Sequence, residues 1–292
     1  MNSYNDKIGA LRIVRESSVG GGELEVNSEL VVRFLEKFLQ DECTRRRGVS
    51  KAVFGLSGGV DSAVTAYLCA RAFGAENCFA IRMPYKISSP ESLSHAQLVI
   101  DELGLNDQVI EISQMADGYL SQFEPEASAT RIGNVCARCR MIVLFDQSAK
   151  LGALPIGTGN KTERMFGYFT WHADDAPPIN PLGDLYKTQV WQIARYLGLP
   201  EVIVSKAPTA DLVKGQTDEG DFGISYDRAD KILVRLLEGH SPAGIQRAGF
   251  DESEVATVLK RVRSTHWKRH LPTVALISAT AINEFYLRPV DY

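Results

Sequence analysis

The chain has 292 residues, and 32 lysines and arginines against 36 aspartates and glutamates give it a formal net charge of −4. That balance argues against a nucleic-acid binder working through bulk positive charge, and 45% hydrophobic with 23% charged residues is the composition of a globular protein, not a disordered one. No stretch approaches the ~18 consecutive apolar residues of a membrane span, and the opening MNSYNDKIGALRIVRESS lacks the apolar core of a secretory signal. The expected compartment is therefore the cytoplasm, with neither membrane nor nucleic acid as partner.

In chain order, residues 1–27 are polar and carry Gly20, Gly21 and Gly22, and are expected to form a mobile arm. A helix is expected from Ser28 through SELVVRFLEKFLQDEC. Apolar runs at 51–56, 78–84, 108–113 and 154–159 read as buried strands. Amphipathic stretches at 63–73, 91–103 and about 134–150 read as the helices between them. Strand–helix alternation at this spacing predicts an α/β fold, a doubly wound parallel sheet with helices on both faces. Beyond it, 176–185 holds three prolines and reads as a loop, and 187–198 as a helix stopped by Gly198 and Pro200. The stretch 205–225 reads as a functional loop, and 226–238 and 251–264 as helices. No repeat or linker divides the chain, so 28–292 is expected to be one domain.

The five cysteines, Cys43, Cys69, Cys78, Cys136 and Cys139, are an odd number and make a poor disulfide framework. Cys136 and Cys139 form a lone C-x-x-C with no second pair at ligand spacing, so two semi-buried thiols on one helix are expected rather than a zinc site.

The sharpest local signal is LSGGVDSA, Leu56 to Ala63, between the first strand and the first helix after it. Gly58 and Gly59 let the backbone turn tightly, and Ser57 and Ser62 add hydroxyls. The following helix contributes the positive end of its dipole, so the loop suits a pyrophosphate. Asp61 would repel phosphate unless a divalent cation lay between them, which suggests Mg2+. G-x-x-x-x-G-K-[ST] is absent, and Gly157 and Gly159 are followed by Thr162 where a dinucleotide fingerprint needs a third glycine.

SGGVDS resembles the loop of the ATP-pyrophosphatase superfamily, whose members cleave ATP between its α- and β-phosphates and pass AMP to a carboxylate or carbonyl oxygen. GNVCARCRM (133–141), GTGNKTE (157–163), GYFT (167–170) with NPLGDLYKTQV (180–190), and PTADL with QTDEGDFGISYD (208–227) follow in order. Together with the loop they resemble the ammonia-dependent NAD+ synthetase family over roughly residues 28–272. The resemblance implies amidation of deamido-NAD+ by ammonia through an adenylated carboxylate, with ATP as co-substrate and Mg2+ as cofactor.

Carried over residue by residue, the resemblance makes Asp61 and Glu163 the magnesium carboxylates, and Asp61 and Lys187 the catalytic pair. ATP is expected on Leu56, Ser57, Gly58, Gly59, Val60, Asp61, Ser62, Thr158, Lys187 and Thr209, with Arg82 flanking the adenosine. The dinucleotide acid is expected on Asn134, Arg138, Trp171, Asp174, Trp267 and Lys268. Arg82, Arg138, Lys187 and Lys268 are thus expected to converge on two polyanions. The resemblance also implies a homodimer through the helix that carries Arg138, Met141, Ile142, Leu144 and Phe145. With no room for a glutaminase domain, nitrogen is expected from free ammonia or a separate glutaminase.

Three positions depart from the family's pattern: Trp171 and Trp267 stand where a lysine and a histidine are usual, and Pro178 where an aspartate is. The ATP half of the site is thus expected to be intact and the acceptor half to have drifted. An adenylating sulfur- or nitrogen-transferase acting on another acid, with Cys136 or Cys139 as thiol carrier, is the alternative, and a non-catalytic nucleotide-binding regulator is a third reading.

Overall fold

In a computed structural model, the structure describes residues 23–209, 217–270 and 273–277. Helix α1 (Ser28–Leu39) is capped by Asn27, whose side chain accepts from the Leu30 amide, and runs into a π-helical turn at Gln40–Arg45. Strand β1 (Ala52–Gly55), helix α2 (Val60–Phe73), strand β2 (Cys78–Arg82), helix α3 (Pro90–Leu103) and strand β3 (Asn106–Val109) follow. Next come helices α4 (Ser113–Phe123) and α5 (Ala129–Leu151), then strand β4 (Leu154–Pro155). The four parallel strands lie in the order β3-β2-β1-β4. The chain therefore steps outward from β1 to β3, then crosses back to lay β4 on the other side of β1, which is double winding. The reversal opens a crevice between the C-terminal ends of β1 and β4, where such sheets bind ligands.

Alternation along the strands loads both faces. Ala52, Phe54 and Ala80 pack with Leu35 and Leu39 of α1, Val64 and Leu68 of α2, and Val99 of α3. Val53 and Ile81 face the other way, onto Ala116 and Leu120 of α4 and Val143 and Leu144 of α5. Helix α2 lies at the centre and buries residues all round, from Val60 to Cys69.

The remaining helices, α6 (Lys161–Phe166), α7 (Lys187–Leu197), α8 (Glu201–Val204), α9 (Asp218–Phe222), α10 (Tyr226–Leu237), α11 (Pro242–Arg247) and α12 (Glu252–Ser264), lead to a 3-10 turn at His266–Arg269. Phe166, Phe222, Tyr226, Ile232, Leu233, Ile245 and Val258 form their shared core. Among the described residues, no helix is long and apolar enough to cross a membrane.

Several expected boundaries move. The run read as a strand at 108–113 pairs only as Asn106–Val109, an exposed edge, because Ile112 leaves the sheet to bury itself against α4 and α5. Expected strand 154–159 shortens to β4, continued by an isolated bridge from Ile156 to Ile179. Helix α4 was not expected: it buries only Ser113, Ala116 and Leu120, and its large side chains Met115, Tyr119 and Phe123 are exposed. Residues 1–22 of the expected arm lie outside the described residues. Glu23–Asn27 are tied down, with Leu24 buried, its carbonyl accepting from Gln192 Nε2 at 3.0 Å, and Glu23 paired with Arg235.

Candidate active site

The turn after β1 is closed by its own serines. Ser62 Oγ accepts from the Ser57 amide at 3.2 Å, lies 3.1 Å from Ser57 Oγ and donates to the Gly59 carbonyl at 3.0 Å. Gly58 sits at φ +80°, and a Cβ built there would run into the backbone of Ser92 in α3. Only glycine satisfies both constraints, and the turn is thereby pressed against the start of α3.

Opposite, Asn160 starts α6 with a capping box: its side chain accepts from the Glu163 amide at 3.0 Å, and Glu163 Oε2 accepts from the Asn160 amide at 3.1 Å. Asn160 Nδ2 also donates to Asp61 Oδ1 at 3.0 Å, which joins the loop after β4 to the start of α2. Lys187, the first residue of α7, is 2% exposed at its side chain. Its ammonium donates to Asp61 Oδ2, lies 3.8 Å from Glu163 Oε1 and sits 5.4 Å above the Tyr226 ring. Burial works to lower the Lys187 pKa, but the Asp61 and Glu163 carboxylates outweigh it and hold the ammonium charged. Burial and the Asp61 charge together push the Glu163 carboxyl up.

A second layer fixes where Lys187 stands. Its backbone amide donates to Thr162 Oγ1 at 3.0 Å, and that hydroxyl donates to Asp230 Oδ1 at 2.6 Å. Asp230 Oδ2 accepts from the Thr188 amide at 2.9 Å and hydroxyl at 2.8 Å, so one fully buried carboxylate on α10 caps α7 and holds α6. Burial pushes Asp230 up to about 6, against the pull of those hydrogen bonds.

These groups border a cleft of about 820 Å³ that runs from the serine turn across the sheet edge to α5, within the size range of small-molecule sites. Of the residues expected for ATP and metal, Leu56, Ser57, Gly59, Val60, Asp61, Ser62, Thr158, Glu163, Lys187 and Thr209 line it. Gly58 shapes the turn without facing the cleft. Arg82 does not line it: its guanidinium is taken up by Asp107 and by Gln97 at 2.7 Å.

Of the residues expected for the acceptor acid, Asn134, Asp174 and Lys268 line the cleft. Lys268 donates to the carbonyls of Gly167 and Phe169 and lies 4.3 Å over the Phe169 ring, and burial lowers its pKa. Thr170 Oγ1 donates to Asn134 Oδ1 at 2.8 Å. Arg138, Trp171 and Trp267 stay outside. Arg138 is exposed and donates to the Trp171 carbonyl at 3.1 Å, and the two tryptophan rings pack edge to face at 5.2 Å. The four expected cations thus do not converge: Lys187 and Lys268 share the cleft, and Arg82 and Arg138 do not.

Cys136 and Cys139 face the α4–α5 core and do not line the cleft, and burial raises both thiols. A buried, protonated thiol is a poor sulfur carrier. Sequence reasoning missed Asn160, Thr162 and Asp230, and the cleft residues Asp218, Lys206 and Arg140. The capping box alone was legible, as N-x-x-E in NKTE. Asp230 belongs to an ordinary amphipathic helix, and its partners lie 42 and 68 residues away.

The NAD synthase family model matches residues 31–272. The NH(3)-dependent NAD(+) synthetase of Trichlorobacter lovleyi is 46% identical over 270 residues, covering 92% of this chain and 98% of its own. Among solved structures, the NH3-dependent NAD synthetase of Campylobacter jejuni superposes with a TM-score of 0.74 at 32% identity, covering 86% of this chain and all of its own. The NMN synthetase of Francisella tularensis gives a TM-score of 0.77 at 29% identity, covering 86% and 99%. With the serine–glycine turn, the carboxylate–lysine cluster and the sheet-edge cleft in place, this chain belongs to the NAD synthase family.

Proposed function

We propose that this chain amidates the nicotinate carboxylate of deamido-NAD+ with ammonia, giving NAD+, AMP and pyrophosphate. The observation that carries the reading is the Asp61–Lys187–Glu163 cluster beside the SGGVDS turn, in a member of this family. In the first step a carboxylate oxygen attacks the α-phosphorus of ATP, and the bond to pyrophosphate breaks. In the second, the nitrogen lone pair attacks the carbonyl carbon, AMP leaves with the carboxylate oxygen, and the new amide loses a proton. No side-chain nucleophile is needed, because adenylation activates the carbonyl. The work of the chain is to orient the reactants and stabilise developing negative charge.

Lys187 faces the leaving pyrophosphate, and Ser57, Ser62, Thr158 and Thr209 border the same region. Asp61 and Glu163 fit Mg2+: both are hard oxygen donors on the cleft, and a divalent cation there would hold both carboxyls in the charged form. When bound there, the ion neutralises charge on the phosphates. Asn134, Asp174 and Lys268 take the acceptor, and Trp171 and Trp267 brace its wall.

The reading extends to a homodimer, a single domain from 28 to 292 and a cytoplasmic protein supplied by free ammonia or a separate glutaminase. Support for the dimer comes from α4 and α5, which leave Met115, Tyr119, Phe123 and Ile142 exposed on adjoining helices, with Arg138 one turn from Ile142. The deciding assay incubates the protein with Mg-ATP, ammonium and either deamido-NAD+ or nicotinate mononucleotide. NAD+ and AMP should form in equal amounts with the dinucleotide. Faster turnover of the mononucleotide would refute this choice of acceptor, and absence of AMP with both would support the regulator.

A further inference from the structure

We propose that Asp218 is the docking carboxylate for the ammonium ion that supplies the nitrogen, an inference that rests on the amidation reading and names the subsite for its smallest substrate. Asp218 opens α9, lines the cleft and is 4% exposed. Its Oδ2 accepts from the Tyr226 hydroxyl at 2.8 Å, and its backbone amide donates to the Pro208 carbonyl at 3.0 Å, so the side chain is held in place. The Tyr168 hydroxyl makes its 2.8 Å bond to Asp221 and also interacts with the Asp218 carboxylate, lowering its pKa against the effect of burial. Oδ1 is left without a hydrogen-bond partner among the described residues. Six other buried side-chain atoms share that condition, and none belongs to a residue lining the cleft. A buried carboxylate oxygen calls for a donor, and this one lies where a ligand can provide it.

The surroundings select the kind of donor. Asp61, Glu163 and Asp218 gather three carboxyl groups around the single ammonium of Lys187, and the crowding that pushes Glu163 up is relieved by a further cation, so this part of the cleft favours cations. Among the described histidines, cysteines, aspartates and glutamates, no group of three is placed to hold a metal ion. Tyr168 lines the cleft beside Asp218, and behind it the Phe222 ring packs 4.7 Å from that of Tyr168 and 5.3 Å from that of Tyr226, where the Lys187 ammonium already rests against the Tyr226 face. A small cation that donates hydrogen bonds and tolerates aromatic faces fits. Ammonium is such a cation, it is the form in which the nitrogen substrate is abundant at neutral pH, and passing one proton to the Asp218 carboxylate frees the lone pair that attacks the adenylate.

The test uses the full chain, saturating Mg-ATP and deamido-NAD+, and varied ammonium chloride. In Asp218→Asn the amide oxygen is drawn to the Tyr226 hydroxyl, which turns the NH2 group onto the ammonium position. Its KM for ammonium should rise at least tenfold, while acceptor-dependent ATP–pyrophosphate exchange, which needs no ammonium, should fall less than threefold. Tyr226→Phe keeps the ring and frees the carboxylate, and should raise the same KM about threefold. An unchanged ammonium KM in both variants, or parallel losses in ammonium KM and exchange, would overturn the proposal. No exchange in the unaltered protein would overturn the amidation reading beneath it.

Discussion

Lys187 is a charged group that the fold has buried, and its partners decide what each substitution does. Removing Asp61 leaves a buried ammonium with only the more distant Glu163, so Asp61→Ala should cost on the order of 3 kcal/mol in stability as well as activity, read by thermal melting. Lys187→Met keeps the stem's packing and removes the charge. It should melt within a few degrees of the unaltered protein, yet lose about 100-fold in pyrophosphate exchange if the ammonium stabilises the leaving group. Equal rates in Lys187→Met would remove Lys187 from the chemistry. Cys139→Ser, changed in a core position that does not line the cleft, should keep its turnover with ammonium, whereas loss of product at undiminished thermal stability would revive the sulfur-transfer reading. At this scale the serine–glycine turn was legible because its chemistry is contiguous in sequence. The burial of Lys187 was not, because a lysine opening a helix ordinarily reaches solvent, and the groups that enclose it come from α2, α6 and α10.

The element that positions the cluster is α7, pinned at its first turn by Asp230 from α10. Asp230 pairs a raised pKa with obligatory hydrogen bonds. Its folded value near 6 stands above the ordinary 3.8, so the folded state binds the proton more tightly. This contribution favours folding below about pH 4 and is lost as pH rises through 6, by up to ~3 kcal/mol. The stability difference between the unaltered protein and Asp230→Asn should therefore shift against the unaltered protein between pH 4 and 7. A difference that stays flat with pH would contradict that assignment. At the turn after β1, Gly58→Ala combines a left-handed φ with a collision against Ser92, so it should destabilise the fold by roughly 2–4 kcal/mol and abolish ATP binding measured by calorimetry. Most long elements were legible from their periodicity. Helix α4 was not, since its apolar side chains point outward, and β3 was displaced because the apolar run after it belongs to a different layer.

For the whole molecule, the mildly acidic sum conceals a cleft that sets Lys187 and Lys268 among the carboxyl groups of Asp61, Glu163, Asp174 and Asp218. The exposed apolar side chains on α4 and α5 are the surface on which the proposed homodimer would form. Ile142→Glu combined with Tyr119→Glu should convert a dimer into a monomer in sedimentation velocity, and a dimer that survives both would place the interface elsewhere. The fold class was legible because strand–helix alternation dictates a parallel sheet, and the crevice followed from the strand order. The acceptor wall was not, because Trp171 and Trp267, expected to hold the dinucleotide acid, pack on each other. The central claim, that a carboxylate is activated by adenylation, is tested most directly by supplying deamido-NAD+ with heavy oxygen in its nicotinate carboxylate. One labelled oxygen should appear in the phosphate of AMP for each NAD+ formed, and unlabelled AMP, or ADP and phosphate in its place, would contradict the account.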